Sequence, residues 1–172
     1  MLKIGKLAML LVLLVSFGCK KEPTTQSNEE KIIAKWDAVK VWSDNYKTTT
    51  TYDGNTIISN STLEGKDISY QYDFKDDNTL TVGGSYTAVL KTTSQGSTIE
   101  QEVPGINYSG NGTWSIDGDK LTIQEDGKEP ETADIILLTD SELKLSIDFN
   151  FSNTIQGATN TTTGTIHLEF TK

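Results

Sequence analysis

The stretch "LKLSIDFNF", Leu143 to Phe151, decides the fold: Leu143, Leu145, Ile147, Phe149 and Phe151 alternate with Lys144, Ser146, Asp148 and Asn150. Successive side chains of a strand point to opposite faces, so this alternation describes a strand with one face in a core and the other in water. The same beat runs outward. "ISYQYDF" sets Ile68, Tyr70, Tyr72 and Phe74 against Ser69, Gln71 and Asp73, and "TLTVGGSYTAVL", "INYSGNGTWSI", "KLTI" and "TIHLEF" behave alike. "DIILL" reads as a short strand buried on both faces. Turn residues punctuate these runs at Asp53-Gly54, Glu64-Gly65, Asp76-Asp77-Asn78, Asp117-Gly118-Asp119 and Asp126-Gly127. The spacing predicts an all-β domain of eight to ten antiparallel strands. An up-and-down eight-stranded barrel fits the length and removes the strand edges, and a β-sandwich is the alternative. Ser27 and Glu30 have capping-box spacing ahead of "KIIAKW", which predicts one helical turn and no other substantial helix.

The amino terminus follows a different plan. Lys3 and Lys6 precede an apolar run of eleven residues, Leu7 to Phe17, and then Gly18 and Cys19. A membrane-spanning helix needs about 20 apolar residues, so this run fits the middle of a cleaved secretory signal. Cys19 is the single cysteine and has no disulfide partner in the chain. The segment "KKEPTTQSNEE" after it contains no apolar residue and reads as a tether. The domain plan is therefore a signal peptide over 1–18, the cysteine and a flexible tether over 19–31, and the barrel over 32–172.

"SFGC", ending at Cys19, resembles the lipobox of bacterial lipoproteins. The resemblance implies acylation of Cys19 and a cell-envelope protein held to a membrane through its amino-terminal lipid. Lys20, where an Asp favours the inner membrane in such lipoproteins, implies the outer membrane. One buried acyl chain, at ~0.8 kcal/mol per CH₂, contributes on the order of 10 kcal/mol, so three chains anchor the protein permanently.

Charge narrows the partners. The formal net charge is −9, and removing the signal with its two lysines makes it −11. Such a chain repels nucleic acid and anionic head groups. All fifteen basic residues are lysine, so there are no bidentate guanidinium clamps for phosphate or carboxylate. Catalytic motifs are missing as well. One histidine and one cysteine leave no Cys-His pair and no zinc set, and no Gly-x-Ser-x-Gly elbow is present. His167 alternates with Ile166 and Leu168, which places it on the solvent face with Glu169. The acidic turns at Asp76-Asp77-Asn78 and Asp117-Gly118-Asp119 hold hard oxygens, but they lack the full pattern of a calcium loop. No cofactor motif, metal site or catalytic residue is assigned, and the chain does not read as an enzyme.

A second resemblance covers roughly residues 32–172. "IIAKWDAV" places Trp36 at the start of the first strand, with Ala34 in place of a glycine. "YDFKDDNTLTV" gives an aromatic strand, a polar turn and a following strand. "GNGTWSIDGDKLTI" holds Gly112, Thr113 and Trp114, and "IILLTDSELKL" follows. Together these resemble the lipocalin-like domains of small bacterial lipoproteins. The resemblance implies that Trp36 and Trp114 plug a barrel, that Gly112 lets backbones approach, and that the ligand is a small apolar or amphipathic molecule. The inward aromatics Tyr70, Tyr72, Tyr86, Tyr108 and Phe149 are the candidate ligand-binding residues, lining a cavity or filling the barrel. Two polar segments, Lys91 to Gly105 and Ser152 to Gly164, read as long loops at a mouth or partner surface. On the alternative reading, a filled barrel acts through those loops as an accessory or adhesion module.

Overall fold

The computed structural model describes residues 26–172. Cys19, the signal segment and most of the tether lie outside the described residues. Among the described residues there are one short helix and nine strands: α1 (Asn28–Ile32), β1 (Lys35–Tyr52), β2 (Asn55–Lys66), β3 (Gln71–Phe74), β4 (Thr79–Ser94), β5 (Ser97–Asp117), β6 (Lys120–Glu125), β7 (Glu131–Leu138), β8 (Glu142–Ile155) and β9 (Ala158–Thr171). All pairings are antiparallel between neighbours, and β9 returns to pair with β1, so the sheet closes. Both β2 and β3 lie between β1 and β4, one above the other. They form one interrupted stave, and the ring is an eight-stave up-and-down barrel rather than a sandwich.

The interruption has a physical cause. Asp67 takes a positive φ of 51°, the amide of Ser69 donates to the carbonyl of Ser85 at 2.8 Å, and the amide of Ala38 donates to the carbonyl of Tyr70 at 2.8 Å. The chain here presses onto Gly84, where a Cβ would lie 2.0 Å from the Ser69 carbonyl oxygen. Above the break Leu63 faces the core, and below it Tyr70, Tyr72 and Phe74 do. The bulge thus re-aims the stave by one residue and turns Tyr70 inward. Two irregularities in β1 shift its phase in the same way, so that Trp36 and Ala38, then Val41 and Ser43, then Tyr46 face inward. Asn45 stitches the second of these to β9: its Oδ1 accepts the amide of Thr165 at 2.8 Å and its Nδ2 donates to the Thr165 hydroxyl at 3.2 Å.

One end of the barrel is closed. The capping box expected at Ser27 is formed, with the Glu30 amide donating to the Ser27 hydroxyl and the Ser27 amide donating to the Glu30 carboxylate. The helix brings Ile32 to full burial beneath Trp36, whose indole Nε1 donates to the Ile32 carbonyl at 2.8 Å. Trp114 Nε1 donates to the carbonyl of Lys75 at 3.1 Å, tying β5 to the β3–β4 turn. Above these, Phe74, Leu80, Leu121, Leu143 and Phe170 fill the interior.

The other end is uneven. The β1–β2, β4–β5 and β8–β9 hairpins continue well past the short β6–β7 hairpin. The first three turn on Asp53-Gly54, Gln95-Gly96 and Gln156-Gly157, with positive φ at both residues of each pair, as the tightest hairpins require. The segments Lys91 to Gly105 and Ser152 to Gly164, expected as loops, are therefore largely paired strand. Hydroxyl pairs across neighbouring strands, such as Thr93–Thr98 at 2.8 Å and Ser152–Thr161 at 3.1 Å, accompany that pairing. Glu64-Gly65, expected as a turn, sits inside β2 paired with Val89 and Ala88. A Cβ on Gly65 would stand 3.0 Å from Val41, so its role is close packing of β2 on β1. Ile136, expected to be buried, is 63% exposed because it occupies a bulge opposite β8.

Candidate functional site

An aromatic column rises through the interior from the closed end. Trp114 meets Phe74 at 5.7 Å between ring centroids, Phe74 meets Tyr72 at 5.4 Å, Tyr72 meets Tyr70 at 5.1 Å and Tyr70 meets Tyr108 at 4.6 Å. Tyr86 stacks on Tyr108 at 6.1 Å. The column changes character at Tyr72: below it the rings have no hydroxyl and the barrel is filled, and the column's rings above it, Tyr70, Tyr108 and Tyr86, are all tyrosines. There a cavity of about 90 Å³ opens, lined by Tyr70, Tyr72, Tyr86 and Tyr108 among others. Four of the five candidate aromatics thus meet at one cavity. Phe149, the fifth, lies higher and packs on Tyr46 at 4.6 Å, over Gly164, where a Cβ would stand 2.8 Å from the Phe149 ring.

A family model described as a lipocalin-like domain matches residues 22–145. The chain belongs to the lipocalin-like family. No curated protein and no solved structure is significantly similar to it. The family match ends within β8, so the β8–β9 hairpin that closes this lipocalin-like barrel lies mostly beyond it.

The cavity of the barrel has a window in its wall. β6 pairs with β5 only from Gly112 to Asp117, and β7 pairs with β8 only from Leu143 to Ser146. Above those limits the upper parts of β5 and β8 face each other unpaired, with the β6–β7 turn as the sill. Two carboxylates line the cavity on that side, Glu125 and Glu131. Gly112 makes room for the first: a Cβ there would stand 2.2 Å from the Gln124 carbonyl oxygen and 2.8 Å from the Glu125 Cα. Glu125 Oε2 accepts from Lys128 Nζ at 2.5 Å, whereas Glu131 has no ion pair among the described residues. Although Glu131 is exposed at the rim, partial desolvation raises its pKa from the ordinary value, and the charge of Glu125 adds to the shift against an opposing pull from Lys128. The sequence reading did not single out either acid. The signal was present in the alternation Leu121, Ile123, Glu125 and Glu131, Ala133, Ile135, which puts both on the inward face.

Burial pushes the phenols of Tyr70, Tyr72, Tyr86 and Tyr108 upward, and Tyr46 with them. The rings of Tyr70 and Tyr72 and of Tyr86 and Tyr108 are neighbours, with centroids 5.1 and 6.1 Å apart. Each phenol carries one O–H donor that it can offer to a ligand in the cavity. A raised folded-state pKa means that the native state holds these protons longer than the unfolded chain does. Stability is therefore level with respect to these groups below about pH 10 and falls as pH rises past it. In an alkaline titration the tyrosinate absorbance of these five residues should appear together with loss of the β-sheet circular dichroism. Ionisation of all five ahead of unfolding would show that the interior is open to water.

The remaining residues lie apart from the cavity. His167 stacks on Trp42 at 4.9 Å on the outer wall, with Lys40 Nζ 4.2 Å from the same indole. Asp77 accepts from the amide and hydroxyl of Thr79 at 3.0 and 2.6 Å, bonds that shape the β3–β4 turn and lower its pKa. Among the described residues no three His, Cys, Asp or Glu side chains gather as a metal-binding group.

Proposed function

We propose that this protein is an envelope lipoprotein, anchored through Cys19, whose lipocalin-like barrel binds a small apolar or amphipathic molecule at its open end. The observation that carries the reading is the change from filled to hollow at Tyr72. A barrel meant only as a scaffold has no reason to line its upper half with buried hydroxyls around free space.

The cavity alone is small. An apolar cavity of about 150 Å³ takes a benzene ring and pockets for drug-sized ligands begin near 300 Å³, so about 90 Å³ holds only part of a larger molecule. The rest has a surface ready for it. Tyr52, Ile57, Ile99, Phe151 and Ile155 are exposed large side chains, and the strand registers place all five on the inner face of the long hairpins, facing the mouth. An accessory module would use such an apolar face to dock a partner. Its continuity with the cavity through Tyr46 and Phe149 favours a ligand with a tail.

The described chain begins at the closed end, where Asn28 Nδ2 donates to the Gly118 carbonyl at 3.2 Å. The seven residue steps from Cys19 to Gln26 reach at most about 25 Å. On the anchored reading the closed end faces the membrane and the mouth faces away. Residues 20–172 should bind a neutral apolar fluorophore such as N-phenyl-1-naphthylamine saturably and one to one, and Tyr108→Ala or Phe149→Ala should weaken binding about tenfold while the domain stays folded. Absence of binding by folded protein would overturn the ligand-binding reading in favour of the accessory module.

A further inference from the structure

The chemistry of the cavity wall specifies the head group of the ligand. No lysine lines the cavity, while two carboxylates and four phenol rings do. A fatty-acid carboxylate placed there would meet two like charges, and the nearest ammonium, Lys128, is already paired with Glu125. We infer that the site takes an organic cation, an amine or quaternary ammonium on an apolar tail, with the head among Tyr70, Tyr72, Tyr86 and Tyr108 against Glu131 and the tail on Tyr46, Phe149 and Phe151. This inference rests on the ligand-binding reading above and narrows it.

Three observations converge on the cation. Ring faces attract positive charge through their quadrupole, most strongly where water is excluded, and Tyr70 and Tyr72 are each only 5% exposed. Glu125 already has Lys128 as a partner, so Glu131 is the carboxylate left for a ligand. Glu131 stands exposed at the rim of the cavity without an ion pair among the described residues, so a bound ammonium would supply one. The formal charge, −9 for the whole chain and −11 without the signal, also draws cations toward the mouth and repels anions. The volume is consistent: about 90 Å³ suits a compact head group better than an aromatic ring.

Three probes with the same eight-carbon tail separate the possibilities: octyltrimethylammonium, 1-octanol and octanoate, titrated into residues 20–172 by calorimetry at fixed ionic strength. The ammonium should bind about tenfold more tightly than the alcohol, and the carboxylate about tenfold more weakly. Glu131→Gln should cut the ratio of ammonium to alcohol affinity several-fold, and added salt should reduce the same ratio in the wild type. Equal or tighter binding of octanol, or a ratio that Glu131→Gln and salt leave unmoved, would overturn the cation assignment while leaving the ligand-binding barrel in place. Failure of all three probes to bind folded protein would overturn both.

Discussion

Trp36→Ala is expected to destabilise the domain by about 3–5 kcal/mol and to lower its Tm by on the order of 10 °C. The indole is fully buried, and three independent parts of the chain converge on it. Its ring lies in the floor of the barrel and its Nε1 holds the Ile32 carbonyl. Lys172, near the end of β9, sets its ammonium 4.6 Å from the ring and donates to the Lys31 carbonyl at 3.1 Å. Truncation therefore opens a cavity under the aromatic column and releases α1 together with the end of the last strand. Trp36→Phe restores most of the volume but not the donor, and should cost only about 1–2 kcal/mol. Trp42→Ala is the contrasting case. That indole lies on the outer wall against His167 and Lys40, and its loss should cost about 1 kcal/mol. Urea denaturation of the three variants gives the comparison directly. Equal losses at Trp36 and Trp42 would mean that the closed end is not what holds the barrel together.

The parts of this fold that were legible in the sequence are those where one face is dry and the other wet. β8 is the clearest, because Leu143, Leu145 and Ile147 are buried while Lys144, Ser146 and Asp148 are not. The upper hairpins were illegible for the converse reason. Where both faces of a strand meet water, nothing forces apolar residues onto alternate positions. Backbone pairing and β-branched threonines then carry the strand with no periodic trace. Their turns were hidden too, since Gln95-Gly96 and Gln156-Gly157 put glutamine, not asparagine or aspartate, in the left-handed position. Phase shifts limited the rest. A strand with bulges, such as β1 at Val39 and again near Asp44, changes its inward face partway, and a strict two-residue beat cannot follow it. The tyrosine quartet was legible because each member lies in an uninterrupted stretch of alternation. Glu125 and Glu131 were passed over because a carboxylate on an inward face reads as the frayed end of a short strand until the window above it is seen.

Gly84→Ala is the substitution expected to disturb the site most through the backbone alone, at about 3–5 kcal/mol. Two costs coincide at this position. The φ of +91° is one that a residue with a Cβ adopts only under strain, and the added carbon would stand 2.0 Å from the Ser69 carbonyl oxygen and 2.9 Å from the Tyr70 Cα. The obstacle is backbone, so no rotamer change relieves it. Two other glycines separate the contributions. Gly54 has a φ of +75° and open space around it, so Gly54→Ala tests conformation alone and should cost about 1 kcal/mol. Gly112 faces the Gln124 carbonyl without a left-handed φ, so Gly112→Ala tests the contact alone and should cost about 2–3 kcal/mol. The order Gly84, Gly112, Gly54 is the expected result of a denaturation series. Relief of the Gly84 clash requires the break between β2 and β3 to move outward, and Tyr70 moves with it. Any folded fraction of Gly84→Ala should therefore lose ligand affinity beyond its loss of stability, as should Gly112→Ala through displacement of Glu125. If a folded variant kept full affinity, the close approach at Gly84 would serve only to close the barrel, and the aim of Tyr70 would have to be set by its neighbours Tyr72 and Tyr108.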